Sequence, residues 1–438
     1  MRPATRLMWL AIGAFALSLY GIASETLPAE TGLWLFAALG FWLAYDLLVS
    51  QARGGWQVGL EGPGEIFAGE ADEFVLWLTS AGGVPDRVSA RLEWPRGLDG
   101  PEEVWFEPAD GGAVALMKIR ARRRGAWRIE RMWLGWDSRY GLVQFCPKLP
   151  LNAEIAAVPN IRQVQSGQID VTVRSTLFGV KENMLKGEGS EFHQLREYVT
   201  GMDPRTIDWK QSARHRALVA KEMRAERNHH VILALDNGFL MREEIGEGSN
   251  ALPKIDHAVN AALATAWAAG LGGDLVGMYA FDSQPRMFLP PEPGRAGFAK
   301  LRARTAELAY ESRETNHTLA MAHLHQRLKR RSLVVVFSDF VDTTTAELLV
   351  ENITVLNKAH VMVFVALRDP GLEAIANAPP DGMTDVARAV SAAQMIRERR
   401  VVMERLVRMG VFVVDTLPEA ATSQLISTYL TIKSRELI

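Results

Sequence analysis

The sequence is poor in cysteine, which excludes two kinds of architecture. Cys146 is the one cysteine among 438 residues. A single thiol cannot form an internal disulfide framework, and it cannot build a zinc site from several cysteines. We therefore interpret Cys146 as a small apolar side chain, and its isolation fits a reducing compartment.

Signatures of common enzymes are also missing. The chain has no glycine-rich phosphate loop of the Walker type, no Gly-x-Ser-x-Gly nucleophile elbow and no His-Glu-x-x-His pair. His317, His323 and His325 lie close in sequence. On a helix, however, the last two point about 200° apart and cannot bind one ion together. We expect a protein that is not an enzyme and that has no catalytic residues.

The chain also lacks an excess of charge of one sign. Its formal net charge is −2, which gives no overall attraction to nucleic acid. The arginines of a predicted helix over residues 386–409 are interrupted by Glu398 and Glu404. No aromatic residues accompany them as a platform for base stacking. We therefore expect no nucleic-acid partner.

Two long apolar runs are present near the N-terminus. Leu7–Ala23 contains no charged residue, and Leu33–Val49 contains only Asp46. Three arginines lie outside the pair of runs: Arg2, Arg6 and Arg53. Because basic residues stay on the cytoplasmic side, we predict a transmembrane helical hairpin over residues 1–53 in the inner (plasma) membrane, with cytoplasmic ends and cytoplasmic soluble domains. A cleaved signal peptide is the alternative, and the second apolar run argues against it.

Residues 54–155 have the pattern of short strands. Val88–Trp94 alternates between apolar and polar residues, and Val114–Ile119 and Trp127–Leu134 are further runs of strand length. Glycine and proline pairs separate these runs. Many short strands at such spacing predict a β-sandwich-like domain.

Residues 229–438 alternate between strand and helix patterns. Val231–Leu235, Leu333–Phe337 and Val361–Leu367 are unbroken apolar runs separated by helical periodicity. Such runs predict a parallel sheet covered on both faces, in a doubly wound, Rossmann-like domain. The predicted fold class of the whole chain is therefore α/β plus β. Ligands in doubly wound sheets bind at the carboxyl ends of the strands, where Asp236 and Asp339 are expected.

This predicted sheet edge resembles the metal-ion-dependent adhesion site of von Willebrand factor type A domains. The resemblance is carried by Asp236, Thr318 and Asp339, and it implies a Mg²⁺ site in members whose first strand ends in Asp-x-Ser-x-Ser. Here Gly238 and Leu240 replace the two serines. We therefore expect a degenerate site and no cofactor, and the alternative is that the three oxygen-bearing residues retain Mg²⁺.

Residues 187–216 combine five acids, five bases and three aromatic residues. The candidate interaction residues of this segment are Glu191, Phe192, Arg196, Glu197, Tyr198, Asp203, Arg205, Asp208, Trp209, Lys210 and Arg214. Because arginine pairs well with carboxylates beside aromatic rings, we predict a structural seam between two domains. In this hypothesis Trp209 and Tyr198 pack against the sheet domain, and the arginines pair with the acids. Replacing Arg205 by alanine would then cost more stability than replacing any arginine of residues 120–124.

The string GEGSEFHQLREYVTGMDPRTIDWKQSAR is similar to the signature of the bacterial membrane-anchored domain of unknown function 58 family. Met202 stands where that family usually has an aspartate. The resemblance extends over nearly the whole chain and includes a C-terminal type A-like domain. We assign residues 156–228 to the signature and a connecting segment. The family implies a membrane-tethered cytoplasmic protein that often works with a MoxR-type AAA+ ATPase.

From these observations we expect a non-enzymatic, membrane-anchored interaction or adaptor protein. Its expected partners are the lipid bilayer, a MoxR-type AAA+ ATPase and protein clients, in protein assembly or quality control. The alternative is a metal-dependent enzyme, or a metal-dependent protein-binding module, that uses the strand-end aspartates.

Overall fold

The computed structural model divides the chain into two compact units, Met1–Val158 and Pro159–Ile438. The residues that it describes are 1–23, 28, 30–50, 55–85, 87–167, 169, 170, 173, 191–224, 229–246, 251–340, 343–379 and 381–438.

The first unit begins with two helices, α1 (Thr5–Ala23) and α2 (Thr31–Val49). Its strands are β1 (Arg2–Pro3), β2 (Trp56–Glu61), β3 (Glu65–Phe67), β4 (Ala71–Ser80), β5 (Ser89–Leu92), β6 (Leu98–Asp99), β7 (Val104–Trp105), β8 (Glu107–Ala109), β9 (Gly112–Ala121), β10 (Gly125–Asp137), β11 (Val143–Phe145) and β12 (Lys148–Val158).

The strands of the first unit form two mainly antiparallel sheets that share one core. One sheet has the order β1-β11-β10-β12-β3, with β5 on β10 and β7 on β5, and the other has the order β2-β4-β9-β6, with β8 on β9. The strands β4 and β9 bury alternate residues, as half-buried strands do. Leu76 of one sheet and Met132 of the other belong to the same buried cluster. The sheets are therefore two layers around a common apolar interior.

By length and composition, α2 is the helix of the described residues that could cross a membrane. It has 19 residues and a mean hydropathy of 1.7. In α1, the described residues form a shorter apolar helix, Thr5–Tyr20. The sequence predicted two such spans, and the structure supports one of them. The predicted hairpin of two transmembrane helices is therefore not confirmed.

The last turn of α2 is fastened to the β-strands of its own unit by Asp46, which is fully buried. Its carboxylate accepts hydrogen bonds from the Ser138 hydroxyl and from the backbone amides of Tyr140 (3.1 Å) and Leu142 (3.4 Å). Ser50, one turn further on, donates to the same carboxylate at 3.0 Å. The single charged side chain of this apolar run thus accepts hydrogen bonds from donors in the turn between β10 and β11. We call this set of contacts the Asp46 clasp.

The second unit contains a two-stranded hairpin and a larger sheet. Its strands are β13 (Glu191–Glu197), β14 (Val219–Arg224), β15 (His230–Asp236), β16 (Glu244–Ile245), β17 (Leu252–Pro253), β18 (Leu275–Phe281), β19 (Pro285–Glu292), β20 (Ser332–Phe337), β21 (Val361–Leu367) and β22 (Phe412–Thr416). Its α-helices are α3 (Arg162–Gln165), α4 (Trp209–His215), α5 (Lys254–Leu271), α6 (Gly294–Ala306), α7 (His317–Arg327), α8 (Thr343–Asn357), α9 (Pro370–Asn377), α10 (Met383–Arg408) and α11 (Pro418–Ser434). Two 3₁₀ turns cover Pro204–Thr206 and Phe239–Arg242.

The large sheet has the order β19-β18-β15-β20-β21-β22, and every pair except β18–β19 is parallel. The strands β20 and β21 are buried along their whole length because helices cover both faces. After β15 the chain builds first to one side and then, from β20, to the other. The crevice between the carboxyl ends of β15 and β20 is therefore the point of topological switch, where open α/β sheets bind ligands.

The mixed α/β prediction is confirmed. The strand β19 and the short helix α9 were not anticipated from the sequence. Pro290 and Pro291 make β19 hard to predict, because proline is unusual in strands. β19 lies at the edge of the sheet, where proline is tolerated.

Candidate functional site

The two strand-end aspartates lie at the switch point of the large sheet. Asp236 is the last residue of β15. Asp339 lies after the end of β20, separated from it by Ser338. Both carboxylates are buried, with exposed fractions of 2% and 5%. A buried carboxylate needs partners to offset the loss of water, so the groups around each one determine what the site can do.

Asp339 is neutralised by two cations of the chain itself. Lys254, the first residue of α5, places its Nζ 2.8 Å from one carboxylate oxygen. Arg399, in the middle of α10, places Nη1 2.7 Å from the other. Lys254 also pairs with Glu243 at 2.6 Å, and Arg399 pairs with Asp415 at 3.2 Å. The result is a charge network that ties α5, β20 and α10 together, and we call it the Asp339 network.

The protonation equilibria follow from these contacts. Burial opposes the charged form of Asp339, but the nearby charges of Arg399 and Lys254 outweigh it and hold the pKa of this carboxyl below its usual value. Burial likewise disfavours charged Lys254, yet Asp339 and Glu243 raise the pKa of its ammonium. The network is therefore ionised at neutral pH.

Asp236 has a different environment, because its partners are neutral. Its carboxylate accepts hydrogen bonds from the Thr315 hydroxyl (2.6 Å), the Ser338 hydroxyl (2.5 Å) and the Gly238 amide (2.9 Å). Burial raises the pKa of Asp236 in spite of these bonds and the nearby His317, whose own pKa burial lowers. Two aspartates at one sheet edge thus have their pKa values pushed in opposite directions.

The residues at the switch point do not fit the divalent cation that a type A adhesion site would hold. Both oxygens of Asp339 are bound by cations, and both oxygens of Asp236 accept hydrogen bonds. Thr318 accepts a bond from Asn352 at 3.1 Å. A Cβ at Gly238 would collide with the Thr315 hydroxyl, so the space of the first missing serine is filled. Among the described residues, no three His, Cys, Asp or Glu side chains form a group that could hold a metal ion.

A groove of about 990 Å³ opens beside the Asp339 network. It lies between the carboxyl ends of β20 and β21, the start of α9 and the second half of α10. Its floor contains Lys254, Asp339 and Arg399, and its walls include apolar residues such as Met403 and Val407. Space, apolar walls and a few fixed charges are the usual composition of a binding site. A smaller cavity of about 470 Å³ lies on the other side of Asp339, along Thr315–Thr318.

The signature residues lie on the hairpin β13–β14 and on α4, and several of them have structural roles. Asp203 caps the 3₁₀ turn by accepting the Arg205 amide at 2.9 Å. Asp208 caps α4 by accepting the Lys210 and Gln211 amides at 3.0 and 3.1 Å, and it pairs with Lys221 at 3.2 Å. These are the roles that aspartate commonly has at helix N-termini. Glu191 and Phe192 belong to β13.

The predicted packing of this segment is wrong for Trp209. Its side chain is 69% exposed, and Arg205, Lys210 and Arg214 are exposed as well. Asp208 pairs with Lys221 instead of an arginine, because β14 passes directly beside the cap of α4. The half-buried Tyr198 donates its hydroxyl to the Met202 carbonyl at 3.0 Å. The glycines at 187 and 189 lie outside the described residues.

The burial of these arginines does not follow the expected order of their importance for stability, which stays a prediction. Arg124, in the basic run of residues 120–124, is 2% exposed and is the largest fully buried side chain of the first unit. Arg205 is on the surface. A basic run before a turn suggested solvation, and the buried position of its last member had no signal in the sequence.

Sequence reasoning also missed Lys254 and Arg399. They are 85 and 60 residues from Asp339 in the chain. The signal that could have located Lys254 is a lone lysine at the start of an alanine-rich helix whose other faces are apolar, because such a charge needs a buried partner.

The model of the family described as "Protein of unknown function DUF58" matches residues 194–408. Uncharacterized protein Rv1480 of Mycobacterium tuberculosis and uncharacterized protein Mb1516 of Mycobacterium bovis are each 27% identical over 179 residues. That alignment covers 40% of this chain and 55% of the relatives, so the match spans about half of their length.

Two solved structures are similar at a low level. The conserved hypothetical protein BatB from Bacteroides thetaiotaomicron has a TM-score of 0.30 and 12% identity, covering 48% of this chain and all of that one. An uncharacterized membrane spanning protein from Vibrio fischeri has a TM-score of 0.18 and 14% identity, covering 47% and 99%. These TM-scores are too low to establish a shared fold, and the type A relationship stays a prediction. The match over residues 194–408 supports the resemblance to the domain of unknown function 58 family in that part of the chain, and its extension over nearly the whole chain stays a prediction.

Proposed function

We propose that this chain is a membrane-associated, non-enzymatic interaction protein that binds a protein partner at the carboxyl edge of its large sheet. The observation that carries the proposal is the Asp339 network beside the groove. Lys254 and Arg399 supply, from within the chain, the positive charge that a bound cation would otherwise supply at Asp339. Such a site can hold its shape and bind a partner without a metal.

The sheet order supports a type A-like assignment of this unit. The first strand of the large sheet, β15, is central, one edge strand is antiparallel, and the groove lies beside the switch point, on the β20–β21 side. Protein binding at the carboxyl edge is the usual work of type A domains. The chemistry of the site agrees, because the described residues there offer ion pairs and hydrogen bonds and no activated nucleophile.

The partner that we propose is a MoxR-type AAA+ ATPase, with protein clients delivered at the membrane. The family resemblance supports this choice, and α2 supports the membrane location. We further propose that the soluble units face the cytoplasm at the inner membrane. A metal-dependent enzyme or binding module at the strand-end aspartates is the competing function.

The test is co-purification of the full chain from bacterial membranes after cross-linking, with two variants of α10. Val407 lines the groove and is 57% exposed. Val401, on the same helix, is 52% exposed and does not line the groove. Val407→Arg should reduce recovery of the AAA+ ATPase at least about tenfold, a loss of about 1.4 kcal/mol in binding. Val401→Arg should leave it unchanged.

Two results would overturn the proposal. One is the absence of any AAA+ ATPase from cross-linked wild-type samples. The other is stoichiometric Mg²⁺ in the purified chain together with partner binding that a chelator abolishes, which would favour the metal-dependent alternative.

A further inference from the structure

The signature hairpin and helix α4 present an apolar surface that nothing in the described part of the chain covers. Val199, Trp209 and Leu218 are 60%, 69% and 46% exposed. Large exposed apolar side chains gathered at one place usually mark an interaction site. We call these three residues, with the exposed bases Lys210 and Arg214, the Trp209 patch.

Backbone hydrogen bonds bring the patch residues together from three parts of the sequence. The Tyr198 amide donates to the Leu218 carbonyl at 2.8 Å, which places Leu218 opposite Tyr198, the residue before Val199. The Asp208 amide donates to the Val219 carbonyl at 2.9 Å, which places Trp209 beside the same strand. Ser212, buried under α4, accepts the Val219 amide at 2.9 Å and fixes the helix to β14. The patch is thus held by its scaffold and does not depend on the apolar side chains packing together.

The charge of this region is positive. Between residues 196 and 221 there are six bases, Arg196, Arg205, Lys210, Arg214, Arg216 and Lys221, and three acids, Glu197, Asp203 and Asp208. Six minus three gives a net charge of +3. The carboxylates of Asp203 and Asp208 accept backbone amides, so they are committed to local structure. The bases therefore dominate the field that an approaching partner meets.

We propose that the Trp209 patch docks on an anionic lipid surface, a contact additional to the apolar helix α2. Tryptophan prefers the boundary between head groups and acyl chains, and lysine and arginine near that boundary are attracted by anionic lipids. The occupant is a bilayer because α2 of the same chain is suited to cross one, and tethering of the chain to a bilayer favours a weak second contact with it. The inference rests on the membrane association proposed above.

The test places an environment-sensitive dye at Leu218→Cys in the full chain, in a Cys146→Ser background, with Trp209 retained. The chain is reconstituted in discs of phosphatidylcholine, with and without phosphatidylglycerol. The dye emission should shift to shorter wavelength in the anionic discs, and salt should reverse the shift because it screens surface charge. The matched control is Val355→Cys on α8, which is 56% exposed and should show no shift.

Charge removal sharpens the test. The double substitution Lys210→Gln and Arg214→Gln, both on exposed positions of α4, should abolish most of the shift without unfolding the hairpin. A chain that inserts into discs but gives no shift at position 218 overturns this inference and leaves the proposed function standing. A shift that requires the AAA+ ATPase and not anionic lipid also overturns it, because the patch would then be a protein interface. Failure of the chain to insert at all would instead defeat the proposed membrane association.

Discussion

Asp339 shows how two basic residues can neutralise a buried carboxylate at a sheet edge. The side chains of Lys254 and Asp339 are 8% and 7% exposed, so their interaction is little screened by water. In a buried pair, losing one partner leaves a charge with insufficient compensation, which is far more costly than losing a surface pair. Lys254 is therefore a residue on which the shape of the groove depends.

We predict that Lys254→Met destabilises the second unit by about 3 kcal/mol, because Asp339 then keeps one cation instead of two. The control is Lys300→Met, which breaks an exposed pair with Glu292 and should cost less than about 1 kcal/mol. Denaturant unfolding of the full chain in detergent measures both. Equal losses in the two variants would contradict the prediction.

The pH dependence of this effect has a defined sign. The folded state lowers the pKa of the Asp339 carboxyl below its usual value, because Arg399 and Lys254 stabilise the charged form despite burial, so its contribution to stability is present above the pKa of the unfolded state and is lost as the pH falls through the folded pKa. The difference between wild type and Lys254→Met should accordingly shrink in acid and persist at neutral pH.

The sequence identified Asp236 and Asp339 because each follows an unbroken apolar run. It gave no local pattern for Arg399, because a contact between a helix and a distant strand end is set by packing, and for Lys254 it gave only the signal of a lone lysine at the start of an alanine-rich helix. The prediction for Trp209 was wrong for a different reason. Composition suggested that an aromatic residue among charges would be buried, whereas its place at the first turn of a short capped helix keeps it in solvent.

At the scale of elements, strands with both faces covered were the most predictable. Val361–Leu367 has the same bounds in the sequence prediction and in the structure, and the predicted Leu333–Phe337 differs from β20 by one residue. The helix α9 escaped prediction because its eight residues are too few to establish helical periodicity. The apolar runs of α1 and α2 were both evident in the sequence, and both are helical in the structure.

The Asp46 clasp leads to a prediction about α2. Asp46→Ala removes the acceptor of two hydroxyls and two backbone amides, so it should destabilise the first unit by on the order of 3 kcal/mol. The turn that contains Arg139 should then open, and tryptic cleavage after Arg139 should become faster. Asp110→Ala, at an exposed turn of the same unit, serves as the control and should leave cleavage unchanged.

At the scale of the whole molecule, one chain combines a helix suited to lipid with two compact units. We predict that the full chain stays with bacterial membranes through alkaline carbonate washing. Leu39→Arg, near the middle of α2, should release a large part of it, because an arginine at the centre of a span costs about 2.5 kcal/mol or more. The control is Leu116→Arg, at an exposed position of β9. Retention of both variants would show that α2 does not anchor the chain.

The domain boundaries drawn from composition stay predictions. In the structure, the two compact units meet between Val158 and Pro159. Composition marks the change from short strands to alternating strands and helices. It does not mark the residue at which contacts change, because Ile169 and Val173 already lie buried in the second unit.

The Asp46 clasp has a mechanical consequence. A helix joined to a domain by a flexible linker lets that domain rotate freely. A helix whose final turn is hydrogen-bonded to the domain moves together with it. Any tilt or rotation of α2 in a bilayer would turn the whole first unit through the same angle. Bilayer thickness, which affects helix tilt, would then affect the orientation of the first unit as well.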